Sequence, residues 1–78
     1  MISYQAIKEN LQSEELGSYV SYGIAVFRID NLKNKKLGFI SDIFTDKHQA
    51  EKTAQLFTQM ELDPDHFFDV VSDIIGIT

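Results

Sequence analysis

The chain has 78 residues, 44% of them hydrophobic, with six phenylalanines, three tyrosines and no cysteine. This composition supplies bulky side chains for a core, and it excludes disulfides, thiolate metal ligands and thiol nucleophiles. The length predicts one small domain, residues 1–78. Because secreted domains of this size usually need disulfides, we expect this domain in the cytoplasm.

The net charge of −5 is unevenly distributed along the chain. Residues 1–43 contain as many basic as acidic residues, whereas residues 44–78 contain seven acidic residues against only Lys47 and Lys52. A general polyanion binder shows the opposite balance, so we expect no direct binding to nucleic acid. The sequence shows no signal-peptide pattern and no apolar run near the ~20 residues that span a bilayer, so we expect a soluble protein without membrane contact.

The first segment, residues 2–12, has an ambiguous pattern. Tyr4, Ile7 and Leu11 have helical spacing, but the alternation that begins at Ile2 favours a strand. We predict a strand.

A second strand is predicted from Ser18 to Ile29, which is rich in β-branched and aromatic residues. Gly23 within it indicates a bulge or a close packing contact. Its apolar residues lie on both faces: Val20, Tyr22, Ile24 and Val26 on one, and Ala25, Phe27 and Ile29 on the other.

The polar stretch Asp30–Lys35 predicts a turn, followed by an extended segment from Leu37 to Phe44. Leu37, Phe39 and Ile43 are expected on one face of that segment. Together the two strands predict a β-hairpin with a loop of about five residues.

Two helices follow the hairpin. Asp46 is a predicted N-cap, with Gln49 completing a variant of the capping box, and Asp63-Pro64 has the pattern of a second helix start. Gly76 is a natural residue to end that helix. The first apolar arc contains Ala50, Thr53, Ala54, Leu56, Phe57 and Met60; the second contains Phe67, Phe68, Val70, Val71, Ile74 and Ile75, and Ile77 extends it. The sequence therefore predicts an α+β domain, ordered β-β-β-α-α, with both helices on one face of a small antiparallel sheet.

The last helix carries the sharpest chemical candidates. His66, Asp69 and Asp73 have i, i+3, i+7 spacing, and Asp65 adds a further carboxylate, so a divalent cation could bridge them. Alternatively, these residues are the solvated face of an ordinary helix, which we favour because a helix needs polar residues opposite its core. We recognise no cofactor-binding or catalytic motif, and an enzyme is disfavoured.

Arg28, Lys33, Lys35 and Lys36 form the basic cluster of the sequence, beside Phe27 and Phe39. Lysines beside aromatic side chains on a sheet can bind RNA bases. Since the domain is acidic, we favour the alternative that the lysines keep the turn soluble and that the phenylalanines are core residues.

Three segments together carry a resemblance: Tyr22-Gly23-Ile24, residues 40–46 (ISDIFTD) and residues 62–73 (LDPDHFFDVVSD). The sequence resembles a group of short uncharacterised proteins found chiefly in Clostridia and related Firmicutes, over about residues 19–75. The resemblance implies a bacterial cytoplasmic setting and gives extra weight to Tyr22, His66, Asp69 and Asp73. It implies no particular activity.

The leading prediction is a non-enzymatic protein that binds a protein partner, as a small regulator or as a homo-oligomer. The expected surface is the last helix, where the candidate residues are Asp65, His66, Phe68, Asp69, Ser72 and Asp73. The alternative is an acidic inhibitor that mimics nucleic acid, as phage proteins do; the third is a small metal-dependent or acid–base enzyme that uses His66 and Asp69.

Overall fold

A computed structural model of the chain describes residues 1–31 and 33–76. Three antiparallel strands form one sheet in the order β1-β2-β3, and a 3₁₀ turn, Pro64–His66, precedes the second of two helices. The elements are β1 (Ile2–Ser13), β2 (Gly17–Asp30), β3 (Lys33–Phe44), α1 (Lys47–Gln59) and α2 (Phe67–Ile75). The predicted α+β architecture, including the strand at the start of the chain, is confirmed. Within the described residues, neither helix is long and apolar enough to cross a membrane.

The hydrophobic core lies between the sheet and the helices. Side chains from one face of β1 and β2 and from both helices form its buried centre: Tyr4, Ile24, Val26, Ala54, Phe57, Phe67 and Val71. The ring of Tyr4 makes edge-to-face contacts with Phe57 at 5.5 Å and Phe67 at 5.2 Å between ring centroids. Such aromatic pairs stabilise a core beyond the area that they bury.

Hydrogen bonds of Tyr4 join β1 to helix α1 and to the segment that follows α1. The backbone N–H of Tyr4 donates to the Thr58 hydroxyl at 2.9 Å, and the Tyr4 hydroxyl donates to the Leu62 carbonyl at 2.7 Å. The Thr58 hydroxyl therefore satisfies a backbone donor on an edge strand that would otherwise be open to another chain.

Strand β3 pairs irregularly with β2. The register shifts between Tyr22 and Ile24, and a Cβ placed on Gly23 would lie only 2.8 Å from the Phe39 ring. The close packing contact predicted at Gly23 is thus confirmed, whereas the extra residues of the bulge lie in β3, opposite Gly23. Because the bulge breaks the alternation of β3, Ile43 packs against the core whereas Phe39, opposite Ala25, lies on the other face. The prediction that Phe39 and Ile43 share a face is wrong.

The connection between β2 and β3 is shorter than predicted. Strand pairing continues to Asp30 and Lys33, so residues 31–32 form the connection, and Leu32 lies outside the described residues. Asn31 has the left-handed φ of 50° that the turn composition allows. The predicted loop of about five residues is wrong because the polar, lysine-rich segment still forms backbone pairs.

Helix α1 begins as predicted and buries a narrower face than predicted. Asp46 is the N-cap, and its carboxylate accepts from the backbone N–H of His48 at 2.9 Å. The buried residues are Ala50, Ala54 and Phe57. Leu56 and Met60, expected in the same arc, are 50% and 59% exposed because they lie at its margin.

The same helix ends without a glycine. Glu61 has a left-handed φ of 53°, and the N–H of Leu62 donates to the Phe57 carbonyl at 3.1 Å. This is the bonding pattern of a Schellman motif, in which glycine is the usual left-handed residue. The reversal directs the chain toward Asp63 and the second helix.

Candidate protein-binding surfaces

The 3₁₀ turn and α2 together form the segment predicted as the last helix. The Asp63 carboxylate accepts from the N–H of Asp65 at 2.9 Å, and Pro64 occupies the first position of the turn. Regular α-helix begins only at Phe67 and ends at Ile75, and Gly76, with a φ of 73°, is its C-cap. The predicted cap residues are confirmed, and the predicted extension of the apolar face to Ile77 lies outside the described residues.

The two adjacent phenylalanines of α2 have opposite environments. Phe67 is 1% exposed in the aromatic core, whereas Phe68 is 62% exposed. Phe68 lies four residues before Ser72 and seven before Ile75, so the three follow one stripe along the helix. Ile75 is itself 38% exposed. The sheet and α1 therefore leave part of the apolar face of α2 uncovered.

The predicted site residues all lie on this segment and all have solvent access. Ser72 is partly exposed and the others are exposed: Asp65, His66, Phe68, Asp69 and Asp73. We call these six residues the α2 patch. One bulky aromatic residue bordered by carboxylates is suited to contact with a protein, because hot spots of interfaces are often aromatic.

The geometry gives less support to a metal site or to an acid–base role of the histidines. Among residues 1–31 and 33–76, no three His, Asp or Glu side chains are grouped in a way that could hold a metal ion. His66 caps α2 without a side-chain hydrogen bond to the helix, and His48 lies exposed in the first turn of α1. Tyr22, which the resemblance grouped with α2 residues, instead lines a groove with Lys8 and Lys47.

A second polar site, not predicted from the sequence, lies at the bulge of β3. Asp42 has a φ of 57°, and its carboxylate accepts from the Ser21 hydroxyl at 2.5 Å and the Tyr19 hydroxyl at 3.0 Å. Its own N–H donates to Glu9 at 2.9 Å, and the Ser41 hydroxyl also donates to Glu9. These bonds hold two carboxylates and a tyrosine together across all three strands.

The electrostatics of this bulge site favour the protonated phenol. The hydrogen bond to Asp42, and then burial and the negative charges of Asp42 and Glu9, raise the pKa of Tyr19 above 10.0. Tyr19 therefore acts as a hydrogen-bond donor at neutral pH.

The basic cluster is divided between the two faces of the sheet. Lys36 pairs with Phe27, and its ammonium lies 4.8 Å from the centroid of the Phe39 ring. Arg28 and Lys35 pair with each other on the side that faces the helices. Phe27 and Phe39 are partly exposed on the open side, so the expectation that they are core residues is wrong.

Comparison with known proteins adds one finding. The model of a protein family of unknown function matches residues 1–76. The chain belongs to the family of unknown function DUF6514. No curated protein and no solved structure matches this DUF6514 chain. The expected membership of a family without an assigned activity is thus confirmed.

The bulge site of this DUF6514 domain was missed because its residues are far apart in sequence. Glu9, Ser21 and Asp42 belong to three different strands, and only their register brings them together. The available signal was the pair Ser41-Asp42, two polar residues between the apolar residues Ile40 and Ile43. Such a pair interrupts strand alternation and is typical of a bulge.

Proposed function

We propose that this DUF6514 protein is a non-enzymatic module that binds another protein through the α2 patch. The observation that carries the proposal is the 62% exposure of Phe68 on a helix that buries Phe67 and Val71. A partner that covers Phe68 would gain roughly 1–2 kcal/mol from the remaining apolar surface. That gain is appropriate for the central residue of a small interface.

The charges around Phe68 define the chemistry of the partner. Asp65, Asp69 and Asp73 are exposed, and no lysine or arginine occurs after Lys52. We therefore propose that the partner has an apolar pocket for Phe68 with lysine or arginine residues at its rim. Such complementary charges mainly accelerate and orient binding. We expect the partner in the bacterial cytoplasm, the setting that the resemblance implies.

Site-specific photo-crosslinking in the native host tests this proposal. A photoreactive phenylalanine analogue at position 68 should give one dominant crosslinked protein. The matched control is the same analogue at Leu56, which is 50% exposed on α1. Asp69→Lys should reduce crosslinking from position 68. Equal products from both positions, or a yield that Asp69→Lys leaves unchanged, would contradict the proposal.

A second candidate function, the acidic nucleic-acid mimic, is favoured by one observation. All five acidic residues that follow Met60 are exposed: Glu61, Asp63, Asp65, Asp69 and Asp73. For such a mimic, the captured partner is itself a nucleic-acid-binding protein, and duplex DNA displaces the module competitively. A captured partner that DNA does not displace supports the leading proposal instead.

The third candidate, an enzyme using His66 and Asp69, predicts a different result in the same purification. A small molecule or metal ion would then accompany the native protein, and no protein partner would be retained. Native mass spectrometry of the protein purified from its host distinguishes these outcomes in one measurement.

A further inference from the structure

Both helices pack on one face of the sheet, and within residues 1–31 and 33–76 nothing covers the other face. Strand alternation and register place the following side chains on this open face: Gln5, Ile7, Glu9 and Leu11 of β1; Tyr19, Ser21, Ala25, Phe27 and Ile29 of β2; and Lys36, Phe39 and Asp42 of β3. Its centre is apolar: Gly23 and Ala25 are buried there, and the Phe39 ring lies against Gly23. An apolar sheet face is ordinarily covered in a stable fold.

The edges of the sheet are poorly suited to pairing with another chain. On β1, the outward N–H of Tyr4 is already bonded to Thr58. On β3, two register shifts interrupt the strand, and Lys33, Lys35 and Lys36 follow one another at its start. Bulges and lysines are the usual protection of edge strands against pairing. Association is therefore favoured through the open face.

The charges of the open face are separated along the strands. Lys36 lies at the level of Phe27, whereas Glu9 lies at the level of Ser21 and Asp42 is bonded to Ser21. One end of the face is thus basic and the other acidic. A surface with this polarity is complementary to a copy of itself that is turned end to end.

We propose that the open face binds the open face of a second copy of this chain. A two-fold axis in the interface plane, perpendicular to the strands, reverses the strand direction and keeps β3 over β3. This operation places each Lys36 opposite Asp42 of the other copy. It also brings the two Phe39 rings, each lying against Gly23 of its own chain, close to the axis. The Asp42 carboxylate accepts two hydrogen bonds within its own chain, which leaves lone pairs for a lysine.

The available area is sufficient for a modest dimer. Three strands about 4.8 Å apart and about 40 Å long present roughly 560 Å² per copy. Two such faces bury roughly 1,100 Å² in total, near the lower limit of specific interfaces. An interface of this size is typical of weak, reversible complexes, so we expect a dimer that forms at high protein concentration.

RNA is the other class of ligand that an aromatic sheet face can bind. The carboxylates of Glu9 and Asp42 lie on the same face as Phe27 and Phe39 and repel a phosphate backbone. A second copy, by contrast, provides Lys36 for one of these carboxylates. The open face thus favours self-association over RNA.

Sedimentation velocity over a range of concentrations tests the charge arrangement. Lys36→Glu should raise the dissociation constant at least about tenfold, because it replaces two attractive contacts with two repulsive ones. Asp42→Lys should do the same, and an equimolar mixture of the two variants should recover the dimer, since both contacts are then attractive. Circular dichroism establishes that each variant is folded. A wild-type chain that stays monomeric at about 1 mM, or that binds single-stranded RNA at low salt as a monomer, overturns the proposal.

Crosslinking tests the geometry without altering the charges. Because the chain has no cysteine, a single Gln5→Cys substitution on the open face gives a unique attachment point near the axis. A short bismaleimide should join two such chains efficiently. Gln49→Cys, exposed on α1 and outside the groove beside Gln5, is the matched control and should give little product. Equal crosslinking at both positions overturns the proposed interface.

Discussion

Phe67 and Phe68 are adjacent in the chain, yet replacing each with alanine should affect stability very differently. Phe67 is 1% exposed and contacts Tyr4 and Phe57 edge to face. Truncating such a residue removes its transfer free energy and leaves a cavity, so Phe67→Ala should cost about 3–5 kcal/mol. Phe68 is 62% exposed, so Phe68→Ala should cost about 1 kcal/mol or less.

These costs are large relative to the stability of so small a domain. At about 0.05–0.15 kcal/mol per residue, the free energy of unfolding of this chain is roughly 4–12 kcal/mol. Urea unfolding followed by circular dichroism measures both variants, and Phe67→Leu provides a milder substitution if Phe67→Ala does not fold. Similar losses for Phe67→Ala and Phe68→Ala would refute the assignment of one side chain to the core and the other to the surface. They would also remove the main support for Phe68 as a contact residue.

Three further predictions concern the sheet, a buried tyrosine and a helix end. Gly23→Ala should lower the free energy of unfolding by about 1–3 kcal/mol because its Cβ would clash with the backbone carbonyl oxygen of Ile40 and with the Phe39 ring, whereas Gly38→Ala, with ordinary van der Waals room, is a control that should lose less in the same urea titration. Burial, and then the charge of Asp63, raise the pKa of Tyr4, so its contribution to stability should be fully present below about pH 10 and be lost at higher pH, where the phenol of the unfolded chain ionises first. Tyr4→Phe should remove this part of the alkaline decline in thermal melts, and an unchanged alkaline profile would contradict the assignment. Glu61→Gly should raise the urea midpoint by relieving a left-handed φ that costs about 1 kcal/mol, and a lower midpoint would count against strain at this position.

Local patterns in the sequence were sufficient to predict most of the helical layer. Asp46 and Asp63 have side chains that accept hydrogen bonds two residues ahead, so their positions identify helix starts directly. The width of a buried face is less predictable, because it depends on what packs against the helix. Leu56 and Met60 had the right spacing for burial, but they lie at the margin of the buried face and remain exposed.

The sheet was harder to predict because its details depend on register. Lys33 pairs with Asp30 through the backbone and so extends the hairpin, although the surrounding segment is polar. The bulge at Asp42 reverses the face on which later residues lie. The alternation of side chains along a strand does not show where such a reversal occurs unless the position of the inserted residue is already known. The residues and charges of the open face could therefore not be assigned from the sequence pattern.

The positions of the two surfaces connect the two proposals. The α2 patch lies on the helical layer, on the opposite side of the sheet from the open face, so a dimer through the open face leaves both patches exposed. Such a dimer would present two copies of Phe68 with surrounding carboxylates, directed away from each other. For a partner that is itself multivalent, the second contact is then intramolecular and the avidity exceeds the affinity of one patch. A single interface formed by α2 alone is small and therefore weak. Dimerisation would increase the avidity of this 78-residue chain for a multivalent partner without requiring a larger domain.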